Sequence, residues 1–169
     1  MKKRIIVLIA LAALCSVCFA RSVKSEMPAS WQECIIDGFS YSSPFYGRTA
    51  GEIFDENNLI TKEDVKGGGT FGVLEDLDIF PEQGFAMFGY TLWTVANKKG
   101  MEGELHEIAY IILLVGFMPE YEAAIIYEFD VLQVSTGIET KKTWDGRSYD
   151  NEVMAYAAEA FLKMMVKVE

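Results

Sequence analysis

The sequence predicts an α+β domain: a mostly antiparallel β-sheet laid out as a meander, with short N-terminal helices and one C-terminal helix packed on the sheet. Three observations carry that expectation. Runs rich in β-branched and aromatic residues recur between residues 71 and 144, separated by short turn signals. Two helix-start patterns and a glycine run precede them. A long segment with apolar residues at helical spacing closes the chain.

Residues 1–20 stand apart from that domain. Lys2, Lys3 and Arg4 form a positive start, residues 5–14 an unbroken apolar run, and Cys18-Phe19-Ala20 sets small residues three and one before a cut after Ala20. This three-part pattern reads as a signal peptide, so an exported protein, periplasmic or secreted, is expected. The apolar run is shorter than the about 20 residues a spanning helix requires, and no stable membrane span is expected once the signal is removed. Leu14 and Val17 are bulky where a small residue should precede a lipid-modified Cys15 or Cys18, which favours release.

Removing 20 of 169 residues leaves 149, enough for one domain with a self-sufficient core. A flexible polar lead is expected over 21–30 and a single α+β domain over 31–169. An extended segment is expected over 31–41, and Ser42, Ser43, Pro44 and Gly47 mark a loop. Thr49-Ala50-Gly51-Glu52 is a capping box, in which a hydroxyl and a carboxylate satisfy each other's orphan backbone N–H groups. The short helix it opens should run to about Glu56. Thr61-Lys62-Glu63-Asp64 repeats the signal before Gly67, Gly68 and Gly69.

Strands are expected at 71–80, 85–96, 105–117 and 123–134, divided by turn signals at 81–84, 97–100 and 118–122, with a further strand at 138–144. Residues 108–115 are almost wholly apolar, as in a central strand covered on both faces. A helix is expected from a cap at Asp150 through Lys167, with Val153, Ala157, Ala160, Phe161, Met164 and Val168 making its apolar face.

Charge and residue scarcity restrict the function. Without Lys2, Lys3 and Arg4, the 15 basic residues fall to 12 against 25 acidic ones, about −13 net. A field of that sign repels phosphate backbones and anionic lipid, so no nucleic-acid partner is expected. Of three cysteines only Cys34 lies outside the signal, next to Ile35 and Ile36, so it forms no internal disulfide and should be buried. His106 is the single histidine. One imidazole and one thiol cannot assemble a His-rich metal centre within a single chain, so no metal and no cofactor are expected. Without a Gly-x-Ser-x-Gly elbow, a Ser-His-Asp hydrolase has no support either.

Four patterns remain. Residues 67–72 contain Gly-x-Gly-x-x-Gly, but a helical turn precedes it and a strand follows, the reverse of a phosphate-binding turn. Counting from Asp55, an EF-hand loop would need Gly and Glu where Ile60 and Lys66 stand. Asp76 with Asp78, and Glu128 with Asp130, are carboxylate pairs at strand spacing, each on one face. Sunk in a cleft, such a pair works as general acid and base. Glu128 and Asp130 are the stronger pair, because Ile126, Leu132 and Val134 at the same parity would desolvate them. Lastly, Tyr41, Phe45 and Tyr46 stand among small hydroxyl residues beside Arg48, a composition suited to carbohydrate or peptide contact or to packing on the core.

From about Phe39 to Tyr90 the order of signals resembles the N-terminal part of the acetolactate decarboxylase family. The residues that carry it are Tyr41-Ser42-Ser43, the helix from Ala50, Thr61, Gly69-Thr70-Phe71 and Leu74-Glu75-Asp76-Leu77. The resemblance implies a trimmed version of that fold without its metal chemistry. The family's acidic residue at the end of that strand falls on Leu77, and its metal-holding histidines fall in about residues 110–126, which contain none.

The expectation is an exported, non-catalytic domain that binds a ligand or a protein partner through its sheet or aromatic loop. The alternatives are an enzyme working with carboxylates, using Glu128, Asp130 and Arg48 or Arg147, and an envelope structural subunit with a broad exposed apolar patch.

Overall fold

The computed structural model describes residues 23–55, 65, 69–97 and 99–165. The expected signal peptide and the second helix start at 61–64 lie outside the described residues, and the expected C-terminal helix is corrected at both ends: it starts at Ser148, ahead of the expected cap at Asp150, and stops at Leu162, short of Lys167, with Met165 already bridged to Gly72. In chain order come α1 (Val23–Glu26), α2 (Ala29–Gln32), β1 (Ile35–Asp37) and α3 (Ala50–Ile53). The strands β2 (Gly69–Phe80), β3 (Phe85–Val95), β4 (Leu105–Met118), β5 (Ala123–Gln133) and β6 (Glu139–Thr143) follow, then α4 (Ser148–Leu162).

The α+β expectation holds. β2, β3, β4 and β5 form an antiparallel meander, each strand paired to the next. The free side of β5 is shared: β1 pairs in parallel with its first residues, and β6 pairs antiparallel with residues 128–132. The turns at Gly84 and Gly100 adopt the positive φ that their residue type permits.

Register shifts bend three strands, each leaving one residue unopposed: Glu75 in β2, Ile108 in β4 and Tyr127 in β5. Such bulges strengthen the local twist, and here the sheet curls around α4. The concave face carries Phe88, Tyr90, Leu113, Val115, Ile126 and Phe129, all in the main core cluster. Phe54 stacks on Phe88 at 4.6 Å, and Tyr90 meets Phe161 of α4 edge to face at 4.9 Å.

α4 crosses this face from β5 to β2. Beyond its end the Gly72 amide donates to the Met164 carbonyl at 2.8 Å, tying the chain to the edge of β2. Gly72 is required there: a Cβ would stand 2.8 Å from the Phe161 ring. The buried face of α4 is Met154, Ala155, Ala158, Phe161 and Leu162, whereas Ala160 is exposed. The expected face is thus corrected by about one residue; four alanines between 155 and 160 leave the helical phase weakly marked in composition.

The N-terminal region departs further from expectation. In place of a polar lead, α1 and the turn after it deliver Val23 and Met27 to the core. Gln32 fastens this turn by donating from Nε2 to the Lys24 and Met27 carbonyls at 2.9 and 3.0 Å. Only Ile35–Asp37 of the expected extended segment is strand, since Trp31 belongs to α2 and stacks on Phe117 at 4.4 Å. The capping box forms as read: the Thr49 hydroxyl accepts from the Glu52 amide at 3.3 Å, and the Glu52 carboxylate accepts from the Thr49 amide at 3.0 Å. Cys34 is fully buried, its Sγ 3.5 Å from the Ser30 carbonyl, and burial pushes its thiol pKa up.

Candidate functional site

The aromatic loop between β1 and α3 is anchored from within and bare on the outside. Gly38 begins it with φ +99°, a conformation disfavoured for residues with a Cβ, and any Cβ here would press on Asn151 and Ala155 of α4. Phe39 is buried and Phe45 half-buried, their rings 5.5 Å apart against the core. Ser43 is buried between them. Its amide donates to the Ser40 carbonyl at 2.8 Å, and its hydroxyl accepts from the Phe45 amide at 3.2 Å. Tyr41 and Tyr46, in contrast, are 86% and 53% exposed and touch each other edge to face at 5.2 Å.

Two clefts meet at the root of this loop and share Gly38 and Phe39. The larger, about 380 Å³, lies between the loop and α4 and is lined further by Ser40, Glu152, Tyr156 and Glu159. The smaller, about 260 Å³, is bounded by Asp37, Tyr46 and Gly47. Tyr156, 77% exposed, thus presents a phenol to the larger cleft as Tyr46 does to the smaller, with Tyr41 packed on Tyr46. The Lys163 ammonium, and next the Ser43 hydroxyl, hold the Glu159 carboxyl below its usual range, so an ionised acceptor lines the larger cleft. The site therefore offers flat apolar faces, hydroxyls and carboxylates, and the lining residues include no cation. Among the described residues no group of three or more histidine, cysteine or carboxylate side chains is placed to hold a metal ion.

Of the residues singled out from sequence, Tyr46 lines the smaller cleft, Tyr41 packs on it, and Phe45 serves as the core anchor. Arg48 lines neither cleft; its carbonyl accepts from the Ile36 amide at 3.4 Å. Glu152, Tyr156 and Glu159 were not legible as site residues in the loop's composition. Their i, i+4, i+7 spacing does mark one polar face of α4, which was the available signal.

Glu128 and Asp130 lie elsewhere, on the convex face of the sheet. The bulge at Tyr127 reverses the side-chain parity of β5, so Ile126 points into the core while Glu128 and Asp130 point away from it. The expected grouping with Ile126 is corrected accordingly. Glu128 is paired to Lys141 of β6 at 2.6 Å, with the Thr143 hydroxyl at 3.5 Å. Asp130 is buried, and its hydrogen bond to Glu139 raises the Glu139 pKa, helped by the Asp130 charge. Neither residue lines either cleft. Arg147 is paired to Asp145 at 3.2 Å, outside both clefts, and His106 stands half exposed near Glu104 at the start of β4.

No family model, no curated protein and no solved structure matches the chain. The acetolactate decarboxylase resemblance therefore gains no support beyond the residues that suggested it.

The convex face has one more arrangement of note. The Tyr110 hydroxyl donates to Asp76 Oδ2 at 2.8 Å, reaching from β4 to β2 across the intervening strand. It passes directly over Gly89, where a Cβ would overlap the phenol oxygen. Burial, and then the Asp76 hydrogen bond and charge, push the Tyr110 pKa up to about 12.

Proposed function

We propose that the chain is an exported, non-catalytic binding domain whose ligand, a neutral saccharide, lies in the paired clefts between the aromatic loop and α4. One observation carries this reading: the solvent-facing phenols of Tyr46 and Tyr156 line joined clefts that also present Ser40, Asp37, Glu152 and Glu159, and the exposed Tyr41 packs on Tyr46 beside them. Sugar rings offer an apolar C–H face for a phenol to cover and hydroxyls for serine and carboxylates to bind. The strongly acidic composition argues against an anionic ligand, and the lack of a cation among the lining residues argues the same way.

The test is isothermal titration of the purified chain, freed of residues 1–20, with a panel of neutral oligosaccharides. Saturable binding is expected for at least one, weakened two- to tenfold by Tyr46→Ala or Tyr156→Ala, corresponding to about 0.5–1.5 kcal/mol for a lost ring contact. Binding that ignores both substitutions would remove the site assignment. An enzymatic reading gives the opposite assay result: metal-dependent carbon dioxide release from acetolactate, lost in Glu128→Gln, would overturn the non-catalytic claim.

A further inference from the structure

The clefts at the root of the aromatic loop are two basins that share one wall, Gly38 and Phe39. Each basin has a phenol and a carboxylate of its own: Tyr156 with Glu152 and Glu159 in the larger, Tyr46 with Asp37 in the smaller. Phe39 is buried and Gly38 has no side chain, so no exposed side chain of the shared wall stands between the basins. At about 380 and 260 Å³, each lies near or below the bottom of the range of about 300–1,000 Å³ that small-molecule sites occupy. Only joined do they reach its middle.

The polar groups of the two basins have one sense. The carboxylates of Asp37, Glu152 and Glu159 accept hydrogen bonds, and an ionised carboxylate never donates. No side chain with an N–H donor lines either basin; the side-chain donors are the hydroxyls of Ser40, Tyr46 and Tyr156. The Ser40 hydroxyl is also shared with that of Ser42 at 3.1 Å. A ligand that fits must therefore bring donors of its own. Free sugar hydroxyls are such donors, whereas acylated hydroxyls and uronic carboxylates set acceptors against acceptors.

We propose that the ligand is an oligosaccharide of at least two linked rings with free hydroxyls, one ring on Tyr156 in the larger cleft and the next on Tyr46 in the smaller, its linkage crossing at Gly38. This rests on the saccharide reading of the same clefts and adds to it the chain length and the hydroxyl pattern. A single ring settles in the larger cleft. A second ring tethered to it reaches the smaller cleft as an intramolecular step, so the dimer binds more tightly than the monomer without any change in the first contact.

The experiment titrates the chain freed of residues 1–20 with matched neutral sugars: glucose against cellobiose and maltose, mannose against mannobiose, galactose against galactobiose, and xylose against xylobiose. Tyrosine ring resonances report the binding. At least one dimer should bind about three- to tenfold more tightly than its monomer. Tyr46→Ala and Asp37→Ala should bring that ratio towards one, whereas Tyr156→Ala and Glu152→Ala should weaken monomer and dimer by a common factor and keep the ratio. Peracetylation of the dimer, which removes its donors, should abolish binding. Amide-region circular dichroism confirms that each variant is folded. Equal affinity of monomer and dimer in every pair would overturn the proposal and leave the saccharide reading standing, and a panel in which no sugar binds would remove both. A common loss for monomer and dimer in Tyr46→Ala, or undiminished binding of the peracetylated dimer, would overturn it as well.

Discussion

At the scale of single residues, the contact between Tyr110 and Asp76 shows how a side chain absent from one strand permits a bond between its neighbours. Because the folded-state pKa of Tyr110 stands above its ordinary value near 10, the residue adds stability in full below about pH 10. That contribution disappears as the pH climbs through about 12. Spectrophotometric titration should therefore find two phenols ionising well above the ordinary value, Tyr110 and, later still, the fully buried Tyr90, whose pKa burial raises further. Asp76→Asn should bring Tyr110 part of the way down, because burial, the larger cause, persists. A full return to the ordinary value would mean that Asp76 alone sets the shift. None of this was legible in sequence. Asp76 and Asp78 read as a pair on a wet face, which is where they lie, but the partner of Asp76 is 34 residues away and reaches it only over Gly89.

At the scale of elements, the strands were legible because alternation, turn residues and β-branched content agree with one another. The expected strand at 85–96 is Phe85–Val95, and that at 105–117 is Leu105–Met118. The bulges were not legible. A one-residue slip leaves no compositional trace, yet the bulge at Tyr127 reverses the face of Glu128 and Asp130 and so decides the fate of the strongest carboxylate candidates. β6 carries the consequence. Its Glu139 shares a hydrogen bond with Asp130, and its pKa is raised. The stability so gained is complete in acid, below the ordinary carboxylate value near 4.3, and is lost as the pH rises through the raised value. Amide exchange in β6, corrected for intrinsic rates, should be better protected at about pH 4 than at neutrality. Glu139→Gln should flatten that dependence, and a dependence that persists in the variant would assign it to another group.

At the scale of the whole molecule, the curl of the sheet gives the described residues a filled concave side and a convex side that carries a smaller cluster around Val65 and Phe71. The core is closed by pieces from both ends of the described chain: Val23 and Met27 from the start, Phe161 and Met165 from the end. The first of these escaped the sequence reading, because single apolar residues spaced among Arg21, Ser22, Lys24, Ser25 and Glu26 look like a solvated lead. Met27→Ala should therefore lower stability by about 2–5 kcal/mol, the cost of emptying a buried site, as read by denaturant unfolding. A change within about 0.5 kcal/mol would return the segment to the status of a tail. Among the described residues no helix is long and apolar enough to cross a membrane.

The loop and α4 meet only in the folded molecule, and so the cleft between them is a property of the whole. Ring-proton resonances of the tyrosines, followed while a neutral oligosaccharide is titrated in, examine it most directly. Tyr41, Tyr46 and Tyr156 should shift together and saturate with one dissociation constant, while Tyr121, 75% exposed and lining neither cleft, should stay still. Equal movement of Tyr121, or no movement of the three across the panel, would contradict a saccharide site at the aromatic loop.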